Sequence, residues 1–345
     1  MNAVLCFDLK PVHFFKEHLM VLRADKAGIE WAAKALASGE VVAFPTETVF
    51  GLGGDALNDA AVKKIFELKG RPATNPLICH IAKVEDISQV ADLAKLDGAQ
   101  LSRFERLAEE FWPGPLTILL PKNQALPYSV TAGGELVGVR IPGHQVALDF
   151  ISASGRPVAA PSANKYTKLS AVTARQVEEV FGRKLLVLDS EEPCHVGIES
   201  TVVNISTGIN ILRSGFVTAD DIASVIGTEV NFGGAAASSS PGQHPVHYAP
   251  RTRLVIGPAE ARLGDVSKSG LIRITGPVTP EDHSYFKFAQ TLSDSGDLLE
   301  AAGKLYLTMH YMDGLGLDEI VVVPCAERGV GTAIMDRLRR AAAKG

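Results

Sequence analysis

An α/β fold in two units, a twisted open α/β sheet followed by a small Rossmann-like α/β unit, is what the sequence predicts, and three observations predict it. Short apolar runs mix irregularly with amphipathic stretches up to about residue 232, a stretch poor in anything to bury follows at Gly233 to Pro250, and strand and helix patterns then resume. Irregular mixing favours an open twisted sheet over a strictly alternating parallel one. The later pattern suits parallel strands joined by helices. At 345 residues the chain exceeds the roughly 150 residues of an average domain, which also suggests two.

In chain order, residues 1–20 form an extension, and Lys26 to Ser38 carries Ile29, Ala32, Ala33 and Leu36 at helical spacing, with Gly39 placed to stop it. Val41 to Phe44 predicts a buried strand. Ala60 to Leu68 predicts a helix ending at Gly70, and the prolines of RPATNPL enforce a loop after it. A short strand at Leu77 to Ile81 precedes helical patterns near Ile87 to Leu93 and at Leu101 to Phe111. After the rigid turn WPGP, strands are expected at Leu116 to Leu120, Val137 to Ile141, Val158 to Ala160, Leu185 to Leu188, Ser200 to Ile205 and Ile209 to Leu212, with a helix at Thr173 to Phe181. The catalytic unit is thus placed at 21–232 and a linker at 233–251. The second unit, 252–345, has strands at Arg253 to Ile256, Gly270 to Ile274 and Ile320 to Pro324 and helices at Leu298 to Met312 and Thr332 to Ala343.

Hydrophobic residues at 46% and charged residues at 21% are ordinary globular usage. A net charge of −5 does not attract nucleic acid over the whole surface. Cys6, Cys79, Cys194 and Cys325 form no C-x-x-C pair, which argues against a zinc site and a redox dithiol and for buried, reduced thiols. The first twenty residues lack a signal-peptide core, and no segment reaches the roughly 20 apolar residues of a membrane span. Cytoplasmic residence is expected.

Common catalytic templates are missing: no Walker A loop, no complete G-x-G-x-x-G, no G-x-S-x-G elbow and no H-E-x-x-H helix. What remains is a series of polar clusters near strand ends: PTETVFGLGGDA (Pro45 to Ala56), KGRPATNPLICH (Lys69 to His80), FWPGPLT (Phe111 to Thr117), VGVRIPGH (Val137 to His144), PSAN (Pro161 to Asn164), GIESTVV (Gly197 to Val203) and LRSG (Leu212 to Gly215). Lys69 and Arg71 give two cations in a proline-held loop, suited to phosphates, or else merely a solvated basic loop. Arg140, set by rigid backbone, suits a bidentate grip on a carboxylate or an ion pair with a neighbouring acid. His80 ends an apolar strand and is either a core histidine or a ligand contact. Ser162, Asn164, Ser200 and Thr201 suit a ribose, a base edge or a phosphate, or serve as turn and cap residues.

In this order and spacing, the seven motifs closely resemble the YrdC-like family of threonylcarbamoyl-AMP synthases. The linker SPGQHPVHYAP and the C-terminal LGLDEIVVVP and GVGTAIMDRLRRAA resemble that family's two-domain form, so the resemblance spans about residues 22 to 343. It implies a YrdC-like catalytic domain with a deep cationic cavity, a Rossmann-like accessory domain, and a linker that closes over the cavity as a lid. The implied reaction joins L-threonine, bicarbonate and ATP into L-threonylcarbamoyladenylate and pyrophosphate, for threonylcarbamoyl-adenosine beside the tRNA anticodon. By position, Thr48, His80, Arg140 and Ser200 would surround L-threonine. Lys69, Arg71, Asn75, Ser162, Asn164, Ser170, Arg213 and Tyr248 would surround ATP, with Lys69 and Arg71 as the catalytic cations. Mg2+ would arrive with the nucleotide, with no tightly bound cofactor and no dedicated metal ligands. The product would pass to a tRNA threonylcarbamoyl-transferase complex, and a weak tRNA contact is allowed.

Four places depart from the family's pattern: Phe50 stands where Tyr is usual, Tyr166 and Thr167 stand for Ser-Gly, the run Asp189 to Cys194 carries one extra residue at Glu191-Glu192, and Ser214 stands for the proline of L-R-P-G. Two other functions fit parts of the pattern. Carbamoyl transfer is performed by YrdC-like modules that sit beside other catalytic domains, and a non-catalytic RNA-binding protein would use the same cationic cavity.

Overall fold

A computed structural model describes residues 21–233, 245–261 and 264–343. The 1–20 extension with Cys6 and most of the expected linker, 234–244, lie outside the described residues. Arg251, the last residue of that linker, and Thr252 after it bond Asp313.

The first unit opens with β1 (Val21–Arg23), α1 (Lys26–Ala37), β2 (Val42–Phe44), β3 (Gly51–Asp55), α2 (Asp59–Lys69) and β4 (Ile78–His80). It continues with α3 (Gly98–Phe111), β5 (Leu116–Pro121), α4 (Tyr128–Thr131), β6 (Leu136–Arg140), α5 (Gln145–Ser154), β7 (Val158–Ala159) and α6 (Ala174–Phe181). It closes with β8 (Leu186–Asp189), β9 (Thr201–Asn204), β10 (Asn210–Arg213), α7 (Ala219–Ile226) and β11 (Asn231–Phe232). These strands form one mixed sheet in the order β1-β8-β2-β3-β7-β4-β6-β5-β9-β10-β11. The second unit comprises β12 (Arg253–Ile256), β13 (Ser269–Arg273), α8 (Pro280–Tyr285), β14 (Phe288–Thr291), α9 (Leu298–Asp313), β15 (Glu319–Val323) and α10 (Val330–Ala342). Its four strands are all parallel, in the order β12-β15-β13-β14.

Local chemistry explains most boundaries. Asp25 caps α1 at the Gly28 N–H, Asn58 caps α2, and Asp97 with Gln100 closes a capping box on α3. Gly70 ends α2 with φ +68°, a left-handed backbone that costs glycine little.

Four expectations need correction or completion. The segment expected as a helix near Ile87 to Leu93 forms two 3₁₀ turns, Val84–Gln89 and Leu93–Lys95, because Ala91 bridges to Lys122 and pulls the chain out of helical register. Gly51–Asp55, read only as a polar loop, is a buried central strand. A Cβ on Gly51 or Gly53 would stand 2.9 or 2.8 Å from the Phe44 ring, so the glycines serve close strand packing rather than a turn. α5 and α7 in the first unit, and α8 and β14 in the second, complete the layers around the two sheets. The extra residue of the 189–194 run is absorbed in an exposed turn, where Glu191 has φ +66° and its N–H bonds Asp189 Oδ1.

Cys79 and Cys194 are buried and Cys325 half-buried, all as free thiols. Among the described residues no helix is long and apolar enough to cross a membrane.

Candidate active site

The sheet order brings six of the seven motifs to the wall of one cavity. β4 and β6 run parallel with His80 opposite Arg140, so two strands ending together set the imidazole beside the guanidinium. Gly51 bridges to Ser162, which lays the PSAN loop against the loop after β2. Within that loop, Thr46 Oγ1 donates to the Val49 carbonyl at 2.6 Å and accepts the Thr48 and Val49 N–H groups. With that proton committed, Thr48 donates to Thr46 across 2.9 Å and is free to accept Arg140 Nη1 at 3.0 Å.

Arg140 makes the ion pair with a neighbouring acid that was one of its two readings. Its Nη2 pairs with Glu47 Oε1 at 2.7 Å, its Nε donates to the Gly114 carbonyl, and the residue still lines the cavity. Burial pushes the Glu47 carboxyl up, but the charge and hydrogen bonding of Arg140 outweigh it and hold the group below its ordinary value. Burial, reinforced by the Arg140 charge, pulls the His80 imidazole down to about 3. It is therefore neutral at physiological pH and can offer hydrogen bonds but no charge.

Across the cavity, Arg213 at the end of β10 donates from Nε and Nη2 to the carbonyl and hydroxyl of Ser200. The Ser200 hydroxyl also meets Thr117 Oγ1 at 2.8 Å. Arg71 follows the Gly70 cap and is locked by Asn75 O, Asn75 Oδ1 and Pro76 O. Burial pulls its guanidinium down to about 10, which leaves it cationic at neutral pH. The K-G-R loop is thus no solvated surface, since both its side chains are buried.

Of the residues expected around threonine, Thr48, His80, Arg140 and Ser200 all line the cavity, and of those expected around ATP, Arg71, Ser162, Arg213 and Tyr248 do. Lys69, Asn75, Asn164 and Ser170 stand behind the wall. Lys69 Nζ donates to Ser162 O, Asn164 O and Asn164 Oδ1 at 2.6, 3.0 and 2.9 Å. Three acceptors require three N–H donors, which is the ammonium form, although burial and the Arg71 charge pull its pKa well down. Lys69 therefore ties the end of α2 to the PSAN loop rather than facing a ligand. Asn75 orients Arg71, and Ser170 donates to Glu199 Oε1 at 2.6 Å.

Sequence reasoning assigned no role to Glu47, Glu199, Tyr306 or Arg337. Both glutamates lie inside quoted motifs. Arg337 falls on the buried face of α10 with Val330, Ala333, Ile334, Leu338 and Ala341, and an arginine at a core position of a helical pattern was the available signal. Phe50 is fully buried and packs at the cavity.

The linker residues His247 and Tyr248 complete the wall. Tyr248 is 1% exposed with φ +59°, a strained conformation for a tyrosine that the surroundings must impose. His247 Nδ1 is buried without a hydrogen-bond partner, as if awaiting one from a ligand. Space open to water within the cavity is only ≈ 50 Å³, against ≈ 560 Å³ of non-atomic volume out to the mouth. Ligand pockets commonly span ~300–1,000 Å³. The inner space is thus small for a nucleotide. Among the described residues no cluster of His, Cys, Asp and Glu could hold a metal ion.

Comparison with known proteins matches residues 34–215 to the Sua5/YciO/YrdC family, described as telomere recombination, and residues 217–343 to the threonylcarbamoyl-AMP synthase C-terminal domain. The chain is 37% identical over 339 residues to a threonylcarbamoyl-AMP synthase of Pyrococcus abyssi, covering 92% of this chain and 95% of the relative. It is 38% identical over 348 residues to the Bacillus subtilis protein of that name, covering 97% and 98%. The crystal structure of P. abyssi Sua5 complexed with L-threonine superposes with a TM-score of 0.83 at 35% identity, covering 94% of this chain and 97% of that one.

Proposed function

The chain belongs to the Sua5/YciO/YrdC family in its two-domain threonylcarbamoyl-AMP synthase form, and from that premise we propose how its cavity carries the reaction. The enzyme is a threonylcarbamoyl-AMP synthase, a transferase that serves tRNA modification. The observation that carries the assignment of residues is the charge pattern of the cavity: three buried arginines, Arg71, Arg140 and Arg213, against one lining carboxylate, Glu199, among neutral hydroxyl and imidazole groups. Such a wall suits one small carboxylate and one polyphosphate.

L-Threonine sits at the Arg140 end, its carboxylate on the guanidinium and its polar atoms within reach of Thr48, neutral His80 and Ser200. ATP takes the other end, its phosphates against Arg71 and Arg213, near Ser162, His247 and Tyr248. The threonine amine adds to CO2 to give a carbamate, releasing a proton to solvent, or to bicarbonate, releasing water. A carbamate oxygen then attacks the α-phosphate in line, forming the O–P bond as the bond to pyrophosphate breaks. Arg71 and Arg213 stabilise the charge on the phosphates, with Mg2+ entering on the nucleotide. Positioning and electrostatics supply the rate, with no covalent nucleophile. Carbamates decompose readily in water, so a closed site is useful. The strained Tyr248 and the small inner volume support a linker that withdraws to admit ATP and returns as a lid. Cytoplasmic residence and transfer of the product to a tRNA threonylcarbamoyl-transferase complex belong to the same proposal.

Pyrophosphate release should require both L-threonine and bicarbonate, and release that proceeds equally without threonine would sink the reading. Turnover of carbamoyl phosphate would instead favour carbamoyl transfer. Salt-sensitive tRNA binding without ATP turnover would favour an RNA-binding protein.

A further inference from the structure

Glu199 is the one carboxylate named so far on the nucleotide side of the cavity. It stands next to Ser200, which holds Arg213, and its charge acts on Arg213. An uncompensated carboxylate there would repel phosphates and draw the Arg213 guanidinium to itself.

The second unit supplies the compensation. Arg337 Nε of α10 donates to Glu199 Oε2 at 3.1 Å, and Tyr306 OH of α9 reaches both carboxylate oxygens at 3.3 and 3.2 Å. Arg337 Nη1 donates to the Ser214 carbonyl at 2.6 Å, directly after Arg213. The Arg337 guanidinium also stands 5.3 Å from the centre of the Tyr248 ring, and Tyr248 lies 5.9 Å from the Tyr306 ring. Both Arg337 and Tyr306 are fully buried.

The docking that delivers them has no slack. Gly197 has φ +72°, and a Cβ there would meet Ala302 O at 2.5 Å; a Cβ on Gly303 would meet His195 O at 2.6 Å. Two backbones therefore touch two residues before Glu199. His310 Nε2 adds a bond to Ser170 O at 3.0 Å, beside the serine that also holds Glu199.

We propose that Arg337, assisted by Tyr306, is a positioning residue for the nucleotide: by compensating Glu199 it reserves the charge of Arg213 for the phosphates and fixes the Tyr248 ring. The second unit is then part of the nucleotide site rather than an attachment to it. This rests on the assignment of the Arg71 and Arg213 end to ATP.

The test uses the full chain and direct binding of a non-hydrolysable ATP analogue and of L-threonine, measured by calorimetry beside the melting temperature. Arg337→Met should weaken nucleotide binding by about tenfold or more through the uncompensated buried carboxylate, while threonine affinity stays within about twofold. Combining Arg337→Met with Glu199→Gln should recover most of the loss, because the orphaned charge is gone. Arg337→Lys should recover part of it. Tyr306→Phe, which removes only a hydroxyl, should move nucleotide affinity the same way by a few-fold, and it keeps the question answerable if Arg337→Met folds poorly. Equal losses of both ligands, or a double variant no better than Arg337→Met, would overturn the proposal while leaving the threonine and ATP reading intact. Wild-type protein that binds threonine but no nucleotide would overturn both.

Discussion

The Arg140 end of the cavity is built by a single sheet, whereas the Arg213 end is assembled from the sheet, the linker and two helices of the second unit. At the first end, His80 and Arg140 are ladder partners on β4 and β6, and Glu47 and Thr48 come from the loop joining β2 to β3. At the second, Glu199 meets Tyr306 and Arg337 from 107 and 138 residues away, and Tyr248 is wedged between the units. A hydrogen-bonded ladder fixes side chains before any ligand arrives, so the first end is suited to selecting one small amino acid. The second depends on how the second unit and the linker pack on the sheet, so its geometry follows their docking, which is where the proposed nucleotide site would be adjusted.

The sharpest way to break this contrast is Arg140→Ala. It removes the carboxylate partner and leaves Glu47 buried without its counter-charge. The KM for threonine should rise roughly 100-fold, through loss of a charge-assisted bond, with the KM for ATP nearly unchanged. Stability should fall by about 3–5 kcal/mol. Steady-state kinetics with each substrate varied, together with a melting curve, would show it, and equal rises in both KM values would place Arg140 elsewhere.

A smaller effect is expected at the other end. Tyr248→Ala should raise the KM for ATP by about tenfold through lost stacking and packing and leave that for threonine alone. A threonine effect of the same size would mean that the two ends are not independent.

The last contrast concerns pH. Burial depresses His80 to about 3 from an ordinary 6.5, so the unfolded chain binds the proton first. Its share of stability is complete above 6.5, declines by about 1.4 kcal/mol per pH unit below it, and is lost once pH falls through the folded value. Glu47 and Glu199 are also depressed, from 4.5, and add their loss only below that value. Thermal unfolding across this range should therefore weaken first between 6.5 and 4.5, a window shared with His144, His247 and His310, which burial also depresses, and His80→Gln should remove one histidine's share of that slope. A variant as steep as wild type there would remove His80 from the account.

Much of this was legible in the amino-acid sequence. Helices with caps and stops nearby, such as α1 with Asp25 and α2 with Gly70, and strands bounded by proline or glycine, such as β5, follow from local chemistry. The ordered motifs identified the family, and Thr48, His80, Arg140, Ser200, Arg71, Ser162 and Arg213 do line one cavity. Four other expected contacts do not. Lys69 looked like a phosphate ligand because it and Arg71 are two cations in a proline-held loop, with a solvated loop as the alternative, yet three acceptors from the PSAN loop, more than ninety residues on, take up its ammonium. β3 was missed because Gly51, Gly53 and Gly54 carry no strand periodicity; only the approach of Phe44 and of neighbouring strands requires them.

What the sequence determined by itself is therefore whatever depends on neighbours within a turn or two: caps, prolines, apolar periods and the order of the motifs. Tertiary structure alone decided which strand lies beside which, that the Lys69 ammonium is turned inward, and that Glu199 is answered by Arg337. The reason is physical: whether a charge is buried, and by what it is neutralised, depends on groups that the chain brings together only when it closes on itself.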